Sequence, residues 1–509
     1  MGLYDFSLYD LIRRNAQCYR NHPAWFEADV GMTVTFGQFK KHVDRLAVGL
    51  QQAGIRSGDR IGVVGKNSLA FFRVYGAAAA IGAILLPINW RLSADEVAFN
   101  LNDGEPVALF ADDEFGAMVA GIRERLHSVK HFFNLNNAGS FDAFDQLMVD
   151  TPFAADPVGN DDGLVIIHTA AVAGRPRGAL LSHANLLCAS LHLNHCFGLS
   201  PADVHLNLLP LFHVGGLFMA VTAFYAGALN VNMSKFDADK AVDLIQSKKV
   251  SVLFDFSPIL GSILDAQEKT GADISSLQSV MGLDAPETIE RYQTVTGGCF
   301  YNMYGQTETS CLVSMGRYDD RPGSAGRPIP LGLVDLVDED DNPVPTDQVG
   351  EITLKGPMVF KGYWNLDEDN AHTFRNERHH TGDLGRFDED GFLWYAGRKP
   401  EKELIKPGGE NVYPAEVEKV ILDHPSVEQT MVFGVPDPKW KEGIKAVCVL
   451  KAGRTLTEKE LIEFVGSRIA GYKKPRYVQF VESLPETSDG IDREAVKSRY
   501  GGEQQRTNQ

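Results

Sequence analysis

The sequence predicts an α/β protein: a large N-terminal region of layered β-sheets and helices plus a small β unit, followed by a small α+β C-terminal domain. Three observations predict it. From about residue 33 to residue 360, short apolar runs alternate with longer amphipathic ones, the pattern of strands and helices in largely parallel layers. From about residue 332, short strands are punctuated by Asp, Asn and Gly turns, which suits a small twisted β unit. Finally, the stretch "GRKPEKELIKPGGENVYPAEVE" breaks the rhythm with Pro, Gly and charge, as linkers do.

The elements follow in chain order. "MGLYDFSLYDLIRRNAQ" has a helical pattern with an Arg-Arg pair and lacks the apolar centre of a secretory signal. "FKKHVDRLAVGLQQAG" reads as an amphipathic helix, and "RIGVVG" after it as a buried strand. "VYGAAAAIGAILLPI" is too short to span a membrane and ends near Pro87, so it reads as a buried helix followed by a strand. "VALFAD", "LVIIHTA", "LNLLPL", "VSVLFDF" and "SVMGLD" read as further strands. The β unit comprises "LVDLVDEDDNPVP", "GEITLKGP" and "GRFDEDGFLWYAGR". Beyond the linker come a helix ("AEVEKVILDH"), strands ("VEQTMVFGVP", "IKAVCVLKAG"), a helix ("TEKELIEFVGSRIA"), a strand ("YVQFVES") and a polar tail. The expected domains are 1–398, a hinge at 399–410, and 411–509.

Composition narrows the class. Among 509 residues, 44% are apolar and 23% charged, the balance of a soluble globular protein. A net charge of −18 disfavours nucleic acid or an anionic membrane as the main partner. The six cysteines form no C-x-x-C pair and no Cys/His cluster, so they read as free thiols in a reducing, cytoplasmic setting.

Three stretches carry chemistry. In "IIHTAAVAGRPRGALLSH" an apolar run enters a Gly/Pro/Arg turn, so main-chain N–H groups of residues 170 to 174, with Thr169 and Gly174 in the loop and Arg177 adding charge, suit an anion. It lacks the G-x-x-x-x-G-K-[ST] spacing, and bland turns of this kind are common. "FYNMYGQTETS" sets Tyr304, Gly305, Gln306, Thr307 and Glu308 in one run: a flat ring for a base, small donors for phosphate, and a carboxylate for Mg2+. "HTGDLGRFDEDGFLWYAGRK" offers Asp383 for two ribose hydroxyls and Arg398 for ribose or phosphate oxygens, although Asp-Gly turns are also ordinary loop chemistry.

In order, these pieces resemble the adenylate-forming acyl-CoA synthetases, the superfamily that includes luciferases and nonribosomal peptide synthetase adenylation domains. The resemblance covers nearly the whole chain through "HTAAVAGRPRGALLSH", "LPLFHVGGL", "GLDAPE", "YNMYGQTET", "TGD", the linker and "GYKKPR". It implies an AMP-forming acid–CoA ligase using ATP, Mg2+ and coenzyme A on a small-molecule carboxylic acid. By position, Gly282, Asp284, Ala285, Pro286 and Tyr304 fall at the adenine, Thr307 at the α-phosphate, and Glu308 at Mg2+. Asp383 and Arg398 fall at the ribose, and His213 where acyl pocket meets reaction centre. Lys402 falls at the hinge, and the resemblance implies that the small C-terminal domain beyond it is mobile. Lys406, Gly408, Gly409 and Glu410 line the pantetheine tunnel, and Lys473 is a candidate for CoA phosphate, with a solvated basic turn as the equal alternative. A lone His in an apolar stretch is otherwise more often a core residue.

The sequence departs from the pattern twice. The loop has Ala-Ala-Val-Ala where the family has hydroxyls, and "LPETSDGIDREAVK" runs from Gly490 straight into Ile491, omitting the family's adenylation lysine. Lys497, some two turns on, does not naturally reach that point. Losing one such transition-state donor costs about 3 to 4 kcal/mol, so adenylation is expected to suffer more than thioester formation. The acid is expected to be apolar, fatty or aromatic, since "LPLFHVGGLFMAVTAFYAGAL" suits a pocket wall, although plain core reads the same. The rival readings are a non-catalytic nucleotide or acyl-CoA binder, and a ligase acting on a carrier-protein thiol. A homodimer stays open.

Overall fold

A computed structural model describes residues 2–136, 139–172, 175–399, 403–407, 410–438, 440–487 and 490–502. The chain forms two compact units, one of residues 1–90, 100–168 and 178–397, the other of 91–99, 169–177 and 398–509.

The first unit begins with two helices whose starts are written in the sequence. Ser7 and Asp10 cap each other's backbone at helix Leu8–Cys18, and Thr35 and Gln38 do the same at Phe36–Gln52. Helix Leu69–Ile81 is buried on nearly every side, as its alanine run requires, and stops at Gly82, whose φ of 69° is costly for a residue with a Cβ. Strand Ile84–Ile88 follows, as the sequence predicts. The aromatic rings of Trp25, Phe36, Phe39, Phe72 and Phe224 pack edge and face into one core.

Two sheets layer this unit. The nine-stranded sheet has, side by side, Cys299–Tyr304, Ser279–Leu283, Val252–Phe256, Val204–Asn207, Leu229–Asn232 and Pro23–Glu27, all parallel along this run. Strand Val252–Phe256 follows Leu229–Asn232 in the chain, yet lies across Val204–Asn207 from it. The sheet therefore reverses its direction of growth between these strands, which opens a crevice at their carboxyl ends. A seven-stranded sheet and a five-stranded, largely antiparallel sheet complete the unit. The apolar stretch "LNLLPL" is a strand only to Asn207; its remainder is loop leading to His213.

In the second unit, Val427–Asp437 pairs antiparallel with Lys441–Leu450, which pairs parallel with Tyr477–Val481. Alternation puts Met431, Phe433 and Val435 in one core and Val432, Ala446 and Cys448 in another, so both faces are covered. Helix Glu458–Gly466 ends four residues short of the predicted stretch. Helix Arg493–Tyr500 carries a single buried residue, Val496, so hydrophobic periodicity gives no sign of it. Asp492 caps it, accepting from the Ala495 N–H at 3.0 Å.

All six cysteines are free thiols. Among the described residues no helix is long and apolar enough to cross a membrane.

His183 and His205 are buried, and burial pushes each ring down to about 4. His205 Nδ1 lies 2.8 Å from the Asn230 side-chain oxygen. Folded pKa values lie below the unfolded value of about 6.5, so the unfolded chain takes up protons first. Stability is therefore full above about pH 6.5 and falls as pH drops toward 4, by roughly 2 kcal/mol per buried ring at pH 5. The urea midpoint should fall over this window, and the slope should be shallower in His205→Gln.

Candidate active site

Four chain segments leave the carboxyl ends of neighbouring parallel strands at the reversal point: 208–213, 257–258, 284–286 and 305–309. Of the predicted residues, His213, Asp284, Ala285, Pro286, Gly305, Gln306, Thr307 and Glu308 lie on them. The sharpest turn is the last. A Cβ on Gly305 would stand 1.9 Å from the Cys311 carbonyl oxygen, so only glycine lets the chain double back there. The Gln306 N–H donates to Thr309 Oγ1 at 2.9 Å, and the Thr309 N–H returns to the Gln306 carbonyl at 3.2 Å. Ser310 and Cys311 then take left-handed φ values of 52° and 84°. This knot presents Thr307, half-buried, and Glu308, buried, on one short turn.

Glu308 is held at both ends. Its carbonyl accepts from the Phe360 N–H at 2.9 Å, and its carboxylate accepts from the Tyr363 hydroxyl at 2.7 Å. Tyr363, absent from the sequence-based site, lies 55 residues on and is brought in by the short strand Gly362–Tyr363.

Asp383 belongs to a different sheet. Strand Arg378–Phe387 turns at Gly382, whose φ is 69°, and the Gly382 N–H donates to buried Glu351 at 2.9 Å. The turn aims Asp383 at the nine-stranded sheet, where its carboxylate accepts from the Tyr304 hydroxyl at 2.7 Å and from the Gln306 amide. Gln306 also donates to the Thr381 carbonyl at 3.1 Å. The structure thus brings Tyr304, Gly305, Gln306, Thr307, Glu308 and Asp383 together.

The neighbouring strand end supplies Gly282, Asp284, Ala285 and Pro286. Gly282 pairs in register with Asn302, and a Cβ on it would fall 2.0 Å from the Asp255 carbonyl oxygen. Asp284 accepts from the Ala285 N–H at 2.7 Å, Ala285 is the N-cap and Pro286 the first residue of helix Pro286–Thr296. Across the reversal, His213 is the exposed N-cap of helix Val214–Ala226. Its Nδ1 accepts from the Gly215 N–H at 3.2 Å, which places the ring proton on Nε2.

The second unit holds the other predicted residues. Thr169 donates to the Arg177 carbonyl at 3.2 Å, and Arg177 is buried. Arg398 ends strand Leu393–Arg398, half-buried. The Lys406 N–H donates to Glu442 at 2.7 Å, and Glu410 pairs with Arg91 at 2.8 Å. Gly174, Lys402, Gly408 and Gly409 lie outside the described residues.

Lys473, expected at a CoA phosphate or on a solvated basic turn, is buried rather than solvated, with Nζ 2.8 Å from Glu96 and 2.5 Å from Glu416. Burial alone would lower its pKa; the carboxylates, Glu416 foremost, raise it instead. Its charge is consumed internally. The same holds beyond the missing lysine: Arg493 pairs with Glu403 and Glu418 at 3.1 and 2.9 Å, and Lys497 with Glu403 and Glu494 at 3.0 and 3.1 Å.

Among the described residues, no three His, Cys, Asp or Glu side chains converge as a metal nest. A lone carboxylate at Glu308 suits Mg2+, which takes one or two protein ligands and fills its shell with water and phosphate oxygens.

Residues 12–364 match the family model of the AMP-binding enzyme, and residues 416–490 that of the AMP-binding enzyme C-terminal domain. A feruloyl-CoA synthase of Amycolatopsis sp is 33% identical over 479 residues, covering 92% of this chain and 95% of that one. An indoleacetate–CoA ligase of Aromatoleum aromaticum is 34% identical over 466 residues, covering 90% and 91%. Among solved structures, a double mutant of the o-succinylbenzoate CoA synthetase of Bacillus subtilis matches with a TM-score of 0.84 at 27% identity, over 97% of this chain and 98% of that one.

Gly305→Ala should cost about 1 to 3 kcal/mol, the usual penalty of overpacking, read as a lower urea midpoint. Gly271→Ala is the control for a left-handed glycine with nothing within 4 Å of its Cβ.

Proposed function

From the premise that the chain belongs to the AMP-binding enzymes, as an AMP-forming acid–thiol ligase using ATP and CoA, we propose that it activates an apolar carboxylic acid, aromatic or fatty. The observation that carries this reading is the Tyr304–Gln306–Asp383 cluster beside Glu308, at the carboxyl ends of the parallel strands. Tyr304 and residues 282–286 flank the adenine, Asp383 takes ribose hydroxyls, and Thr307 donates to the α-phosphate. Glu308 would hold Mg2+, which would neutralise phosphate charge. His213, through Nε2–H, meets the carboxyl end of the acid. Lys406 and Glu410 serve CoA, while Lys473 does not.

A carboxylate and a thiol do not condense in water, because oxide is a poor leaving group. Attack of a carboxylate oxygen on the α-phosphorus of ATP forms the acyl–AMP anhydride and releases pyrophosphate. The thiol sulfur of CoA then attacks the acyl carbon; AMP leaves with the electron pair, and the thiol proton passes to solvent.

Adenylation is slow in this chain. The lysine is missing between Gly490 and Ile491, and the cations of the following helix, Arg493 and Lys497, are already paired with carboxylates. That pairing also favours the second reading, a binder of nucleotide or acyl-CoA without turnover.

Formation of AMP and acyl-CoA from ATP, CoA and a panel of acids tests the reading. Relatives named for ferulic and indoleacetic acids put aryl acids first on the panel. Turnover with one acid class is expected; silence across the panel with measurable nucleotide binding would establish the non-catalytic binder. Inserting Lys between Gly490 and Ile491 should raise acid-dependent pyrophosphate release roughly a hundred- to a thousand-fold. Arg177→Ala should weaken ATP more than acyl-AMP; equal loss of both would place that arginine elsewhere.

A further inference from the structure

Resting on the reading of the acyl site just given, we propose that Asn67 is a positioning residue that sets the acyl side of that site through the loop 208–213. Asn67 is buried, only 4% exposed, on the segment between strand Arg60–Val64 and helix Leu69–Ile81. Its amide donates to the Leu209 carbonyl at 2.7 Å, and its side-chain oxygen accepts from the Leu211 N–H at 2.7 Å. One side chain thereby satisfies two main-chain groups on a loop that belongs to no strand or helix.

The same loop is held elsewhere. The buried Tyr75 hydroxyl donates to the Leu211 carbonyl at 2.9 Å, and the Pro210 carbonyl accepts from the His213 N–H at 3.0 Å. A Cβ on Gly216 would lie 2.2 Å from the Pro210 oxygen, so the loop is pressed onto the helix that His213 caps. Leu208, Leu209, Leu211 and Phe212 are buried while His213 is exposed. The imidazole is therefore delivered from a backbone with its hydrogen bonds directed inward.

Asn67 is itself anchored. Its main-chain carbonyl accepts from Asn232 Nδ2 at 3.2 Å, and the second proton of that amide goes to Glu27 Oε1 at 2.7 Å. Asn207 donates to Asn232 Oδ1 at 2.8 Å. Glu27, Asn232 and Asn207 face one another in register at the carboxyl ends of three adjacent parallel strands. Glu27 also accepts from the Trp25 indole at 3.1 Å and the Leu69 N–H at 2.7 Å.

A run of buried polar side chains is a poor way to gain stability, since apolar residues of like volume do as well or better. What it fixes is direction. This run ends on Leu209 and Leu211, four and two residues before His213, and an error of about 1 Å in such a place can cost a hundred-fold in rate. Asn67 touches no reacting atom; it acts through the loop.

The test uses the full chain and two probes, AMP and acyl sulfamoyladenosines carrying octanoyl or cinnamoyl groups, titrated by calorimetry against wild type, Asn67→Ala and Asn67→Asp. Asn67→Asp keeps the volume and the acceptor for Leu211 but loses the donor to Leu209. Both variants should bind the better acyl probe about tenfold more weakly, ~1.4 kcal/mol, with AMP affinity unchanged within about twofold. In combination with His213→Ala, the loss should not exceed that of the worse single variant, because both changes act at one point. Parallel loss of AMP affinity, undiminished acyl-probe affinity in Asn67→Asp, additivity with His213→Ala, or failure of both variants to fold would each overturn the proposal. Wild type that binds AMP and neither acyl probe would remove the reading of the acyl site, and this inference with it; that outcome is separate because it needs no variant.

Discussion

The hydrogen bond from the Tyr304 hydroxyl to Asp383 joins two sheets that share no strand. Tyr304 ends a strand of the nine-stranded sheet, and Asp383 follows a turn in the five-stranded one. Both are buried, so the carboxylate has lost most of its water and needs donors in return. Tyr304 and Gln306 supply them. The bond is therefore a constraint on the fold as well as on the site: sliding one sheet against the other would leave a buried carboxylate short of partners, which costs several kcal/mol. The two strand ends are thereby held in register, and with them the turn that carries Thr307 and Glu308.

That constraint rests on places where only glycine fits. At Gly305 and Gly282, a Cβ would stand about 2 Å from a carbonyl oxygen, well inside contact distance. At Gly382 the issue is the dihedral: its φ of 69° turns Asp383 toward the neighbouring sheet. Close backbone approach and left-handed turns both put rigid main chain where a mobile loop would otherwise be. The candidate residues Tyr304, Gln306, Glu308 and Asp383 are thus fixed by structure next to them in sequence, and Glu351 and Tyr363 complete the arrangement from a distance.

Legibility in the sequence followed the range of the forces involved. Helices Leu8–Cys18 and Phe36–Gln52 were readable because capping and amphipathic spacing are local. Strands Arg60–Val64, Val252–Phe256 and Ser279–Leu283 were readable because apolar runs of that length admit few alternatives. Helix Arg493–Tyr500 was not, since one buried residue leaves no period to detect and its anchors, Glu403 and Glu418, lie far off in the chain. Within the site, Tyr304, Gln306 and Glu308 formed a local cluster, whereas Tyr363 and Asn67 sit in ordinary-looking stretches. Nothing in "FKGYWN" or "GKNSLA" announces a partner. Lys473 shows the converse: a basic turn suggested an exposed cation for phosphate, but Glu96 and Glu416 neutralise it from other segments.

Charge makes the two half-reactions unequal in what they ask of the chain. In the first, an anion attacks the phosphorus of a polyanion, so every cation or N–H donor aimed at the phosphates lowers a barrier that like charges raise. In the second, a thiol attacks an acyl carbon already bonded to a good leaving group, and less charge has to be offset. At the two places where this sequence departs from the pattern it resembles, the loop at 170–173 reads Ala-Ala-Val-Ala and Gly490 runs directly into Ile491, so neither offers a side-chain hydroxyl or cation. Nearby, Arg493 and Lys497 already neutralise Glu403, Glu418 and Glu494, and freeing either cation would strand a carboxylate. Charge lost at one point is therefore not readily borrowed from the next.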